Sequence, residues 1–300
     1  MIEVNGLVKS FGQEKVLDSF DLSVKSGTVH ALVGPNGSGK STVIKILSTE
    51  IKPDSGDVTV LEVPISDVRQ IRSLVSVVPH LSQIPDNRTT RFILESTGRS
   101  HKVPREEIEY RIMVLADMLG LGYVMDRKAG ELSRGMKRRV SLALSMFNDS
   151  PVLLMDGSLA ELDPGFNIKF MEILKETGDK TVLLTANNMN LIDRVCDGVT
   201  IINKGTTLLN ESMSSIREKI GRPALKIKVS PLNIPRLESA LRQQIFVNRI
   251  SSRGDSLTVE VDNVLHIPLV IRHASTFTEI YEVKQTMASL EDLYHTFVES

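Results

Sequence analysis

The sequence predicts an α/β fold: a mostly parallel sheet with an antiparallel edge sheet and an inserted helical subdomain, followed by a small α+β domain. Three observations predict it. Five short runs, Val29 to Val33, Val75 to Val78, Val152 to Met155, Val182 to Leu184 and Val199 to Ile202, are almost wholly apolar and are separated by helical segments. That is the pattern of parallel strands buried on both faces. Between His80 and Asp149 the strand signal gives way to helical ones. After Gly221 and Pro223 strand runs return in a different arrangement.

From the N-terminus, Ile2 to Val4 and Leu17 to Val24 alternate like strands of an antiparallel edge sheet, with Gly12 and Gln13 as a turn between them. The run Val29 to Val33 leads into a glycine-rich turn and then into the amphipathic segment Val43, Ile44, Ile46, Leu47. In the helical insert, about residues 81–149, Pro104 opens a helix whose Ile108, Ile112, Leu115 and Leu119 share one face, and Gly120 stops it. Farther on, Leu225 to Val229, Leu257 to Val261 and Ile280 to Val283 read as strands, with helical stretches between them and a last helix from Leu290 to Val298. These runs suggest a ferredoxin-like α+β unit. The expected division is a large domain over 1–220 and a small one over 221–300.

A chain of 300 residues, 41% hydrophobic and 24% charged, can bury a full core, which excludes disordered and fibrous classes. A formal charge of -1 supplies no basic field to hold phosphates of nucleic acid, so nucleic acid is not an expected partner. The single cysteine, Cys196, cannot form an internal disulfide and reads as a small core residue. Met1 to Phe11 has neither the basic start nor the apolar run of a signal peptide, which makes the cytoplasm the expected compartment. No apolar stretch approaches the ~20 residues needed to cross a bilayer. Any role in transport therefore calls for a separate membrane-spanning partner.

Gly34-Pro35-Asn36-Gly37-Ser38-Gly39-Lys40-Ser41-Thr42 satisfies G-x-x-x-x-G-K-[ST], follows an apolar strand and opens an amphipathic helix. This is a P-loop in its full context. The glycines let the loop wrap so that successive backbone N–H groups, from Asn36 through Thr42, point at phosphate oxygens, and the helix dipole adds partial positive charge. Lys40 supplies a point charge for the outer phosphates, Ser41 a hydroxyl for magnesium, and Thr42 a hydrogen bond to the α-phosphate. Asp156 ends the run Val152 to Met155, at the carboxyl edge of the sheet beside the P-loop, where it can hold a magnesium-bound water. The expected ligands are ATP and Mg2+.

Leu132-Ser133-Arg134-Gly135-Met136-Lys137-Arg138-Arg139, shortly before Asp156, resembles the signature of ABC transporter ATPases and its following helix. Leu162-Asp163-Pro164 resembles the loop that crosses the dimer interface in that family, and Phe11 stands where the family places an aromatic against adenine. A flat apolar ring equally suits a core position, so both readings of Phe11 stand. The resemblance spans Met1 to about Ser215. Ala288-Ser289-Leu290-Glu291-Asp292-Leu293-Tyr294 is similar to the tail of drug-export and sodium-export type ATPase subunits. It implies a dimer of facing subunits in which Ser133 and Gly135 close over the γ-phosphate held by the opposite subunit. Arg134 replaces a common glycine, as in related export-type ATPases.

Three catalytic positions depart from the family pattern. Gly157 stands where a glutamate normally orients and deprotonates the attacking water, and a general base contributes roughly 100-fold to 10,000-fold in rate. The usual Pro-Thr that follows is replaced by Ser158 and Leu159. Asn187 falls where a histidine normally contacts the γ-phosphate, and an amide cannot carry its positive charge. His80 takes the place of a glutamine that ligates magnesium and water, and it can bind a metal only when neutral. Drift at a relaxed position and a compensating role both fit His80.

The resemblance thus implies the ATP-binding subunit of an ABC exporter, peripheral on the inner face of the membrane through a permease, with weak intrinsic hydrolysis. It would work as a homodimer, or as a heterodimer with a second ATP-binding subunit. The reading from a different class is a non-catalytic ATP-sensing regulatory module.

Overall fold

The computed structural model describes residues 1–157, 159, 162–176, 180–220, 223–286 and 290–298. Ser158, Gly221, Ala288 and Ser289 lie outside the described residues. The chain divides into two compact units, Met1–Met213 and Ser214–Ser300. The helix Met213–Ile220 spans this division, with all but its first residue in the second unit.

The first unit opens with β1 (Ile2–Phe11) and β2 (Glu14–Val24), an antiparallel hairpin closed by Gly12 and Gln13. Gly12 takes φ 61, the left-handed conformation that a two-residue hairpin turn demands. β3 (Val29–Val33) follows, buried throughout, then α1 (Lys40–Leu47), β4 (Ser55–Val60), β5 (Val63–Pro64), α2 (Val68–Leu74) and β6 (Val75–Val77). The helical insert comprises α3 (Thr90–Ser100), α4 (Arg105–Met118) and α5 (Arg134–Met146). α4 begins after Pro104 and buries Ile108, Ile112 and Leu115, with Leu119 just past its end and Gly120 at φ 63. The chain then runs through β7 (Val152–Asp156), α6 (Pro164–Glu176), β8 (Thr181–Thr185), α7 (Met189–Val195), β9 (Gly198–Asn203) and β10 (Thr206–Ser212).

These strands form two sheets. One has the order β2-β1-β4-β5 and is antiparallel; the other has the order β10-β9-β3-β8-β7-β6, parallel except for β10 at its edge. α1 buries Val43, Ile44, Ile46 and Leu47 in a core that also holds Phe20 and Leu22 of the antiparallel sheet and Leu32, Leu154 and Leu183 of the parallel one. Burial of such side chains contributes roughly 1.5–3 kcal/mol each. The carboxyl ends of β3, β7 and β8 lie side by side in the parallel sheet, which is where ligands of α/β sheets bind.

The second unit holds α8 (Met213–Ile220), β11 (Ala224–Val229), α9 (Ile234–Arg242), β12 (Val247–Arg253), β13 (Ser256–Val261), α10 (Ile267–Phe277), β14 (Ile280–Thr286) and α11 (Leu290–Val298). From β11 to β14 the sequence of elements is βαββαβ, and the sheet order is β12-β13-β11-β14 with every neighbouring pair antiparallel. This is ferredoxin-like topology. Leu225, Ile227 and Val229 of β11 meet Leu237 and Leu241 of α9 and Val270 of α10 in its core. Among the described residues, no helix is long and apolar enough to cross a membrane.

Candidate functional site

The loop between β3 and α1 is shaped by close backbone approach. A Cβ on Gly34 would stand 2.1 Å from the Ile202 carbonyl oxygen, and one on Gly39 would meet the Leu17 side chain at 2.7 Å. Gly37 and Gly39 take φ 80 and 108, conformations open to glycine. Gly39 is the residue before the first turn of α1, whose leading N–H groups have no partner within the helix. The Lys40 ammonium donates to the carbonyls of Gly34 (2.7 Å) and Pro35 (2.8 Å), bracing the start of the loop. Burial holds its pKa below the usual lysine value, while the charge of Asp156 pulls it back up. Ser38 is buried, and its Oγ has no hydrogen-bond partner among the described residues.

A cleft of about 1030 Å3 opens over this loop. Asn36, Gly37, Gly39, Lys40, Ser41, Thr42, Asp156, Gly157 and Asn187 all line it. The strands assemble them: β7 delivers Asp156, and β8, paired with it in register, delivers Thr185 opposite. Thr185 Oγ1 donates to Asp156 Oδ1 at 2.7 Å and accepts from the Gly157 N–H at 2.8 Å. One hydroxyl thus orients the carboxylate and the residue after it. Thr185 escaped the sequence reading; its signal is a polar residue closing an otherwise apolar strand beside the one that ends in Asp156. Gly157 takes φ 59, and a Cβ built there would meet nothing within 4 Å among the described residues beyond its chain neighbours. Asn187 is exposed, and Asn188 caps α7 by accepting from the Leu191 N–H at 3.1 Å.

The residues fit a magnesium nucleotide. The N-terminus of α1 and the Lys40 ammonium meet the cleft, and the Ser41 hydroxyl and Asp156 carboxylate that line it are the hard oxygen ligands that magnesium takes beside phosphate and water. Among the described residues, no group of three or more His, Cys, Asp or Glu side chains could hold a metal alone. Cys196 is buried, and burial pushes its thiol up to about 12, which makes it an inert core residue.

Phe11, Ser38, His80, Ser133 and Gly135 do not line the cleft. Phe11 is 50% exposed beside it on β1, with the Lys9 ammonium 5.5 Å from its ring centre. Ser133 caps α5 by accepting from the Met136 N–H at 3.2 Å. His80 is exposed, and its N–H donates to Gln83 Oε1 at 3.2 Å. The Pro79 carbonyl just before it accepts from both Arg138 (3.2 Å) and the Ser141 hydroxyl of α5. One residue along, Arg139 pairs with Asp163 at 3.0 Å and lies 3.8 Å over the Phe166 ring. Asp163 caps α6 through the Phe166 N–H, and that hydrogen bond, with Arg139 adding to it, lowers its pKa.

The family model described as ABC transporter matches residues 17–160. The Nod factor export ATP-binding protein I of Rhizobium sp. (strain N33) is 34% identical over 260 residues, covering 85% of this chain and 84% of that protein. The chain belongs to the ABC transporter ATP-binding proteins. Within that family it is also similar to the daunorubicin resistance ATP-binding protein DrrA2 of Streptomyces coeruleorubidus, 29% identical over 290 residues that cover 95% of this chain and 87% of the relative. Among solved structures, the dimeric bacterial ABC transporter cassette MJ0796 superposes with TM-score 0.65 at 24% identity, covering 71% of this chain and 99% of that one. The ABC cassette fold thus accounts for the parallel sheet, the antiparallel sheet and the helical insert.

Proposed function

We propose that this chain is the ATP-binding subunit of an ABC exporter, which uses Mg-ATP to close a dimer and drive a separate membrane permease, with weak hydrolysis at its own site. One observation carries the reading. Asn36, Gly37, Gly39, Lys40, Ser41 and Thr42 line the cleft with Asp156 beside them, whereas the position after Asp156 is Gly157, which offers no side chain to the same cleft. Lys40 and the loop N–H groups bind and orient the phosphates, and Ser41 and Asp156 hold magnesium, which when bound screens the phosphate charges. Neither Gly157 nor Asn187 can take a proton from water or present a positive charge to the γ-phosphate. The export direction is supported by the name of the Nod factor export relative, and dimerisation by the dimeric cassette of the same fold.

Phe11 takes the adenine, and Ser133 and Gly135 act on the nucleotide of the facing subunit. In a homodimer both sites would lack the carboxylate, so ATP would close the pair and little chemistry would reopen it. Pairing with a glutamate-bearing subunit resolves this, one site holding ATP as a clamp and the other turning it over. The test is turnover by the purified chain alone and after addition of such a partner with its permease. Hydrolysis that appears only in the mixture supports the asymmetric transporter. ATP-stabilised dimers that recruit neither partner nor permease would replace it with an ATP-sensing module.

A further inference from the structure

The hairpin β1–β2 brings a second functional side chain to the cleft. Glu14 lines it together with Val16 but not the intervening Lys15, as the two-residue period of a strand requires. Val16 marks the phosphate end, because its carbonyl oxygen lies 3.1 Å from where a Cβ on Gly39 would stand. Glu14 is two residues farther along the strand, about 7 Å beyond that point, and is the register partner of Phe11 across the turn. Residues directly opposite in an antiparallel pair project to the same face. An acidic side chain thus stands in the cleft level with the aromatic ring, on the same face of the hairpin and about 7 Å beyond the phosphate end.

The Glu14 carboxylate has no hydrogen-bond or ion-pair partner among the described residues. The nearby cations are engaged elsewhere: Lys9 with Asp54 at 2.7 Å and Lys15 with Asp18 at 3.2 Å. An ionised carboxylate only accepts hydrogen bonds, so it gains nothing from phosphates and repels them. What it can recognise on a nucleotide is a hydroxyl or an amine. A carboxylate one side-chain length from the cradle meets the sugar before the base, and acidic residues bind the ribose hydroxyls of nucleotides in other α/β sheets.

We propose that Glu14 is a specificity-determining residue that accepts hydrogen bonds from the ribose 2′- and 3′-hydroxyls and selects ribonucleotides at this site. The assignment rests on the nucleotide-binding reading above. Hydrogen bonds to a charged acceptor, weakened here by solvent, amount to about tenfold in affinity.

The test is equilibrium titration of the full chain and of Glu14→Ala with the magnesium complexes of ATP, 2′,3′-dideoxy-ATP and ITP. The wild type is expected to bind ATP about tenfold more tightly than the dideoxy nucleotide. Glu14→Ala should reduce that ratio to about twofold or less while still binding the dideoxy nucleotide, which shows that the variant is folded. An unchanged ratio overturns the proposal. So does a variant that loses preference for ATP over ITP instead, since the carboxylate would then read the base amine. If the wild type binds none of the three, the nucleotide site itself is refuted, an outcome separate from any failure of Glu14.

Discussion

Restoring a carboxylate at Gly157 tests the separation of binding from hydrolysis. The space is available among the described residues, since none beyond the chain neighbours comes within 4 Å of a Cβ built at this position. The backbone is less accommodating: at φ 59, a residue with a side chain costs roughly 1–2 kcal/mol relative to glycine. The Gly157 N–H is also fixed to Thr185 Oγ1 at 2.8 Å, so the strain is not relieved without breaking that bond. Gly157→Glu should therefore lower unfolding free energy by about 1–2 kcal/mol in a denaturant titration. A positioned base is worth roughly 100-fold to 10,000-fold, and a full strain penalty transferred to the transition state removes up to roughly 30-fold of it. Steady-state phosphate release should consequently rise by about threefold or more. If turnover does not rise, even with Asn187→His added, the lack of these side chains is not what limits the site.

Lys40→Ala should abolish measurable ATP binding in calorimetry; unchanged affinity would remove the basis of the phosphate cradle. Thr185→Val keeps the shape but deletes the hydroxyl that serves Asp156 and Gly157. It should cost about 1–3 kcal/mol in stability and raise the magnesium concentration needed for nucleotide binding, both readable in the same preparation. His30, buried in β3 with its Nε2 2.8 Å from Thr200 Oγ1, has its pKa lowered from 6.5 to about 4 by burial. It stays neutral in the fold while the unfolded chain takes up a proton, so the stabilisation is full above pH 6.5 and falls as pH drops toward 4. The loss amounts to about 3 kcal/mol at most, and His30→Gln should flatten that part of a stability-against-pH curve.

The parts of the fold that could be read from sequence are those whose burial is uniform or strictly periodic. β3 and β7–β9 are apolar because both faces are covered, and α4 shows its buried face at Ile108, Ile112 and Leu115. β4, β10 and β12 escaped because solvent reaches most of their side chains: in β12 only Ile250 is buried, and in β10 no residue is fully buried. β1 extends to Phe11, well past Val4, through Gly6 at φ 60 and the polar Lys9 and Ser10, whose partners Asp54 and Lys15 are supplied by tertiary contact and strand pairing. At the site, the loop residues were legible because their spacing encodes a local turn. Thr185 and Glu14 were not, because each acquires its role from a strand that pairs beside it.

The double hold on the Pro79 carbonyl has a mechanical consequence. Arg138 and Ser141 sit on successive turns of α5 and both attach to one oxygen at the end of the segment leading from β6. Two anchors on a single point resist swivelling as well as separation, so a displacement of α5 drags the backbone before His80 along with it. The helix that carries Ser133 and the stretch that begins at His80 then behave as a lever with a fixed arm. Movement entering at either end reaches the other without any contribution from the side chain of His80.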